Sequence, residues 1–323
     1  MNVEREHRGG VRGSRREFLV AAAAGALAAA TGARAAETRG PTRFLVGFGP
    51  GGTSDRVARA IAPPYARVSG RDALVENVPG ANGARAMART LAADPDGGTI
   101  LVGTSGVAHP DHAAAMGALR PVIQLATTPM MLVVRATLPV RDPAGFVRHL
   151  KEHPTASYGS AGEGNPTHLC SVELLRRLGL TAVHAAYTGG PAALRDLLGG
   201  HIDFLMTGAT ATLLQQTGAR VLAVTSVEPS RLPGIGHLPT IAGTIAEGFE
   251  FTLWQALYVP ALTDDALVRE INARCARILE DAEVRAALAA AGAEVVGGSS
   301  DAAGRVHREE AARVRRILAA GRA

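Results

Sequence analysis

The chain reads as an α/β protein on two observations. Short β-branched or aliphatic runs alternate along it with Ala/Arg-rich segments of helical character, and the junctions carry the glycines, hydroxyls and acids that open helices. The runs place strands at 43–48, 73–76, 99–103, 122–126, 131–134, 156–158, 183–186, 204–207, 221–225 and 253–259. Helices are expected to start near Ser54, Gly83, Asp142, Thr167, Pro191, Asp264, Asp281 and Asp301. Asp142-Pro143 pairs an N-cap with a proline at the first helical position, and Asp301 is placed to cap the last helix. In that helix Val306, Val314, Ile317 and Leu318 repeat against an Arg/Glu face, an amphipathic element with a solvated charge run rather than a nucleic-acid patch.

The chain is long enough for two domains, and 323 residues at 47% hydrophobic and 20% charged are globular rather than disordered in composition. The net charge of +5 rests on 33 arginines and the single lysine Lys151, which argues against a lysine-rich nucleic-acid arm. Much of that charge sits at the start. Ser14-Arg15-Arg16-Glu17-Phe18-Leu19 leads into an uncharged apolar run from Phe18 to Ala30 and then Ala33-Arg34-Ala35. A charged region, a short apolar region and an A-x-A site describe a secretory signal, and the paired arginines point to the twin-arginine (Tat) route. The run falls short of the ~20 apolar residues that span a bilayer, so cleavage after Ala35 is expected, with the mature chain in the periplasm. Six arginines and three glutamates leave with the signal, which takes the net charge to +2. That compartment would permit a disulfide between Cys170 and Cys275. Cys275, however, lies on the apolar face Leu267, Ile271, Cys275, Ile278, where a buried free thiol is the simpler reading.

The segment richest in chemistry is Gly47-Phe48-Gly49-Pro50-Gly51-Gly52-Thr53-Ser54-Asp55, directly after a strand and opening a helix. Free N–H groups of a first helical turn, with the helix dipole, favour a phosphate or carboxylate there. Gly47, Gly49 and Gly52 also satisfy G-x-G-x-x-G, with Glu76 about where a ribose-binding acid would stand, so a Tat-exported dinucleotide-dependent oxidoreductase is an alternative reading. No lysine follows as in a nucleotide P-loop. Three further turns have the same character: 76–83, 159–168 and 187–192, the last opening a helix that ends near 198–203. Several helix N-termini of this kind suggest a cleft that holds an anion by backbone donors.

In their order and spacing, these segments resemble the periplasmic solute receptors of the tripartite tricarboxylate transporter system, the Bug-type family. The resemblance runs through Gly51-Gly52-Thr53-Ser54-Asp55 with Arg59, Asn77 to Gly83, Asp96-Gly97-Gly98-Thr99, Gly159 to His168, Tyr187 to Asp203, 222–226 and Leu238-Pro239-Thr240. It implies a two-lobed periplasmic-binding-protein (type II-like) fold with the ligand cleft between lobes, residues 36–135 plus 250–323 forming one and 136–249 the other. It implies a small carboxylate as ligand, integral-membrane transporter subunits as partners, no cofactor, no metal and a monomer. Carried over by position, the first lobe would offer Phe48, Gly51, Gly52, Thr53 and Asp55, with the turn at Ala81 and Asn82 and Ser105 nearby. The second would offer Ser160, Gly162, Thr167, His168, Tyr187 and Gly189, with Asp203 shaping the far end. No Arg or Lys falls in the four turns except Arg195 beyond the last helix start, so N–H groups, hydroxyls and water are expected to hold the carboxylate. A sensory receptor signalling to a membrane kinase is a further alternative.

The sequence departs from the family pattern at three places. Pro63-Pro64 is expected to interrupt the first helix, Trp254-Gln255-Ala256 lacks a glycine common after this tryptophan, and Thr263-Asp264 replaces Thr-Pro. Catalytic constellations are weak. His109-Pro110-Asp111-His112 lacks a regular helical presentation, and neither Gly103-Thr104-Ser105-Gly106 nor Gly159-Ser160-Ala161-Gly162 has the G-x-S-x-G frame.

Overall fold

The computed structural model describes residues 40–208, 213 and 215–320; the export segment read at 1–35 and its cleavage site lie outside them. Strands and helices alternate: β1 (Thr42–Val46), α1 (Thr53–Ser69), β2 (Ala73–Asn77), α2 (Ala84–Leu91), β3 (Thr99–Thr104), α3 (Ala113–Gly117) and β4 (Leu119–Arg135). Then follow α4 (Pro143–Glu152), β5 (Ser157–Ser160), α5 (Pro166–Leu178), β6 (Val183–Ala186), α6 (Gly190–Leu198), β7 (Phe204–Gly208) and β8 (Ala219–Val224). The chain closes with β9 (Thr252–Pro260), α7 (Asp265–Glu280), α8 (Ala282–Ala290), β10 (Glu294–Gly297) and α9 (Ser300–Ala320).

The strands line up as β2-β1-β3-β9-β4-β7-β5-β6, with β8 and β10 also paired to β4. β4 is the member shared by two halves. Its first part pairs with β9 from Leu119 to Pro129 and with β10, and its last part pairs with β7 and β8 from Met130 to Arg135. The runs at 122–126 and 131–134, read separately in the sequence, are thus one strand of 17 residues. Nothing between them is a turn former except Pro129, which pairs with Thr252 at the end of the β9 ladder, where the partner changes. The chain returns at Phe251, and Thr225 ties the two crossings together. Its Oγ1 accepts from Met130 N–H at 2.8 Å and donates to Phe251 O at 2.5 Å.

Each half buries both faces of its central strands, which is why these read as continuous apolar runs, while the edge strands β2 and β6 are partly exposed. In the first half Phe44, Val46, Ile100 and Leu257 face α1 and α7. Leu45, Leu101, Trp254 and Tyr258 face α2 and the start of α9. In the second half Leu132, Val134 and Phe204 face α4 and α5, and Met131, Val133 and Leu205 face α6. Helix α9 joins both: Val306 packs on the first half, and Val314 and Ile317 enter the core of the second.

Several starts agree with their capping residues: Asp142, Asp264 and Asp281 accept from the first turns of α4, α7 and α8. Others needed the structure. α1 runs through Pro63 and Pro64 to Ser69 instead of breaking. The ~3 kcal/mol that an internal proline costs is outweighed by a buried stripe of Val57, Ala58, Ile61 and Tyr65, the last edge-on to Phe44 at 5.2 Å. The last helix is capped by Ser299 Oγ rather than Asp301. Its charge run is not wholly solvated. Glu310 is buried, and Arg313 bonds it at 3.1 Å and lies over the Phe251 ring. β10 and α3 were not legible as separate elements, the first because Glu294–Gly297 is a short pairing on an already formed strand. Cys170 and Cys275 are buried free thiols in different core clusters. Among the described helices none is long and apolar enough to cross a membrane.

Candidate functional site

The turns after β1 and before α5 and α6 converge on a cavity of about 240 Å³. From the first half come Phe48, Gly51, Gly52, Thr53 and Arg56, and from the second Thr167, Gly189 and Pro191. Thr207, Gly208, Leu253 and Gln255 form its floor, where the crossing strands meet. A larger cavity of about 1240 Å³ shares Phe48 and Ala161 with it and is lined by Ala81, Asn82, Gly162, His168 and Tyr187. The sequence-predicted residues are therefore divided between two neighbouring spaces, and Asp55, Ser105, Ser160 and Asp203 line neither.

The walls differ in what they leave free. α1 begins at Gly52, which has no side chain to cap it, so the N–H groups of its first turn point into the cavity without an acceptor on the helix. Asp55 holds this loop from behind. It accepts from Gly51 N–H at 2.9 Å, Arg59 Nε at 3.0 Å and Asn77 Nδ2 at 2.9 Å. Burial works to raise its pKa, but these donors outweigh burial and hold the carboxyl below its ordinary value. Asn77 Nδ2 also donates to Phe48 O at 3.0 Å, which fixes the other end of the loop. Two close approaches require glycine. A Cβ on Gly47 would stand 2.6 Å from Gly83 Cα, and one on Gly208 would stand 2.6 Å from Thr53 Oγ1. α6 likewise has no side-chain cap at Gly189 and lines the cavity from the opposite side, but Pro191 has no N–H and Ala192 N–H donates to Gly189 O at 3.1 Å, so Gly190 N–H is the donor it leaves open.

α5 is different. Asn165 Oδ1 accepts from both Thr167 N–H and Thr167 Oγ1 at 3.0 Å, and Thr167 Oγ1 in turn accepts from Ala161 N–H at 2.9 Å. Ser160 Oγ donates to Gly162 O at 3.0 Å and lies 2.7 Å from His184 Nε2, with the serine 1% exposed. His168 stacks on His184 at 4.0 Å and accepts from Gly164 N–H through Nδ1; burial, then the neighbouring His184, pulls its pKa down to about 4. Asp203 is bound to Arg135 Nε at 2.9 Å and to Ser157 N–H at 2.8 Å, and Tyr187 Oη donates to Asp196. Ser105 is fully buried with its hydroxyl unpartnered. Asn82, at φ +51°, reaches from the first half to the second and donates to Glu163 O at 2.5 Å.

Of the lining residues that escaped the sequence reading, Arg56 and Gln255 bear most on the chemistry. Arg56 stands one position past the loop, so a cation does face the cavity. It donates to Gly51 O at 2.7 Å and has no salt bridge among the described residues. Gln255 lies on the floor, 0% exposed, with both amide atoms unpartnered. Its signal was present, since it is a lone polar residue inside the apolar run of β9. Glu76, the residue placed as a ribose partner, is engaged by Arg43 and Arg89. At 109–112 a 3₁₀ turn joins His109 to Asp111, and among the described residues no His/Cys/Asp/Glu group is arranged to hold a metal.

A two-halved α/β chain, crossed by paired strands and with anion-facing helix ends in the cavity at the crossing, is a solute-binding protein of the periplasmic type. The chain belongs to the tripartite tricarboxylate transporter receptor family, whose family model matches residues 57–321. It is 30% identical over 248 residues, 75% of this chain and 72% of the relative, to a UPF0065 protein encoded between ttuE and ttuC′ in Agrobacterium vitis. It is 26% identical to the protein BugT of Bordetella pertussis over 81% of this chain and 83% of that one. Among solved structures, Rpa4515 of R. palustris with adipate superposes with a TM-score of 0.83 at 28% identity, covering 88% of this chain and 98% of that one. MatC of Rhodopseudomonas palustris with bound malate gives 0.79 at 26% identity, covering 86% and 98%.

Proposed function

We propose that this chain is a periplasmic receptor that closes on a small carboxylate between its halves and presents it to the membrane subunits of a tripartite tricarboxylate-type transporter. The observation that carries the reading is the meeting of two uncapped helix N-termini, α1 and α6, from opposite halves, in a cavity that no Asp or Glu lines among the described residues. An anion there receives charge-assisted hydrogen bonds and the favourable ends of two dipoles, and Arg56 adds a formal charge. Contact with both halves is also what allows a ligand to bias closure. The adipate and malate held by related structures support the same chemistry. The lobe limits of 36–135 plus 250–323 and 136–249, the Tat signal cleaved after Ala35, and a monomer complete the proposal; the exchange of strand partners near Pro129 and Phe251 supports the first of these.

Thermal shift of the mature chain against a panel of carboxylates, neutral sugars and amines tests it. Carboxylates are expected to raise the Tm through binding to the folded state alone. Stabilisation by a sugar or an amine, with no response to any carboxylate, would overturn the assignment.

A further inference from the structure

Gln255 is the feature that general anion binding does not explain. It shares a face of β9 with Leu257 and Val259, both fully buried, so its position continues an apolar row. The register sets it beside Thr104 of β3 and Ala126 of β4, at the end of that row where the sheet meets the cavity. Its amide is fully buried, yet neither Nε2 nor Oε1 has a partner. Among the described lining residues it is the one buried polar side chain in this condition. Thr104 Oγ1 accepts from Gly106 N–H, and Asn165 and Thr167 satisfy each other. A buried amide in this state is costly unless whatever fills the cavity completes it.

An amide, whichever way it is turned, offers one donor and one acceptor side by side. A plain carboxylate completes only the donor, and its lone pairs oppose Oε1. A ligand that completes both carries a donor on the carbon next to its carboxylate. An ammonium or a hydroxyl has that donor, and the cavity distinguishes them. Arg56 is the sole charged residue among the described lining residues, the two helix N-termini are electropositive, and Asp55 is turned away onto Gly51, Arg59 and Asn77. An ammonium would enter unpaired beside like charge.

We propose, resting on the carboxylate-receptor reading, that Gln255 makes the cleft selective for 2-hydroxy acids: the ligand hydroxyl donates to Oε1 and the adjacent carboxylate oxygen accepts from Nε2. The remaining carboxylate oxygen faces the first turn of α1 and Arg56.

Calorimetry on the mature chain tests this with acids matched in length and differing only at C2: malate, succinate and aspartate, then 2-hydroxyglutarate, glutarate and glutamate. The wild type is expected to hold the hydroxy member of at least one set about tenfold to a hundredfold more tightly than its deoxy and amino counterparts, the effect of leaving one buried polar group unsatisfied. Gln255→Leu, similar in volume, is expected to bring hydroxy and deoxy acids to within about threefold of each other, a residual preference under 1 kcal/mol. It should also melt no lower than the wild type without ligand, because it removes two unpaired buried atoms. Gln255→Glu keeps the shape but loses the donor and adds a negative charge, and should weaken every acid in the panel. Equal or tighter binding of the deoxy or amino acids by the wild type overturns the selectivity and leaves the receptor reading standing. A hydroxy preference that survives in Gln255→Leu overturns the role of Gln255. Absence of binding by all six acids overturns the 2-hydroxy selectivity, while the receptor reading then stands or falls with the wider carboxylate panel.

Discussion

Helices α1 and α5 both follow glycine-rich turns and both reach the same cavity, yet they end in opposite ways. At α1 the cap position is Gly52 and the acid of the loop, Asp55, braces it from behind, so the first-turn N–H groups remain available. At α5 the cap is Asn165, which accepts from Thr167, Thr167 Oγ1 accepts from Ala161 N–H, and His168 separately accepts from Gly164 N–H. A glycine turn before a helix is thus only the opportunity for an anion site. The site exists where the fold leaves the donors unanswered, and the other helix end supplies a rigid wall.

The largest expected effect comes from removing the brace of α1. Asp55→Ala removes the acceptor shared by Arg59, Asn77 and the Gly51 N–H, and should cost about 1–3 kcal/mol of stability along with ligand binding, as for loop donors left unsatisfied, the exposed Arg59 adding little. Urea unfolding and calorimetry of the variant measure the two. A loss of binding with full stability would mean that Asp55 touches the ligand instead.

The wall at α5 predicts a pH response that sets in at higher pH than that of α1. His168 must stay neutral for Nδ1 to accept from Gly164 N–H, and its pKa is lowered to about 4 in the folded chain. The unfolded chain, with a histidine pKa near ~6.5, therefore takes up the proton first as pH falls. Stability from this group is complete above that value and declines on the way down to about 4, by roughly 1–2 kcal/mol for a partly exposed ring. The carboxyl of Asp55, held below its ordinary value, contributes its own loss at still lower pH. Thermal melts from pH 7 to 4 should show the decline, and His168→Gln should reduce it, leaving the part due to His112, His149, His184 and His307, which burial also holds below their ordinary value.

A smaller pair of changes separates donors in use from donors left free. Thr53→Val should lower carboxylate affinity about tenfold with little change in Tm, since the hydroxyl at the head of α1 faces the cavity. Asn165→Ala should do the reverse and cost about 1 kcal/mol as a lost cap, with only a minor loss of affinity. Equal affinity losses in the two variants would erase the distinction between the helix ends.

The sequence carried most elements because buried strands and capped helices follow local rules, as at Asp142-Pro143 and in the β4 runs. It did not reveal that β4 serves both halves, since a change of partner at Pro129 is a non-local event. At the site, the loops were legible from glycine and hydroxyl placement, but the division of labour within them was not. Whether Thr167 or Thr53 is free depends on whether an Asn or a Gly precedes the helix and on which side chains fold back. Arg56 and Gln255 were missed for a related reason. Each lies in regular structure, where side-chain direction comes from register and packing rather than from a motif.

Asn82 offers the finest test of how the two walls meet. It sits at φ +51°, a left-handed conformation that asparagine tolerates and glycine adopts freely. Its Nδ2 donates across to Glu163 O at 2.5 Å, and its Oδ1 accepts from Asn165 Nδ2 at 3.5 Å. These bonds form only when the halves are together, so their loss acts on closure and not on the fold of either half. Asn82→Gly keeps the backbone unstrained while deleting the side chain. One exposed hydrogen bond is worth about 1 kcal/mol, so ligand affinity should fall about three- to tenfold through a smaller closed population, with the Tm almost unchanged. Small-angle scattering of the ligand-free variant should give a larger radius of gyration than the wild type. An unchanged radius and unchanged affinity would show that the cavity walls are held together by the ligand and the crossing strands alone.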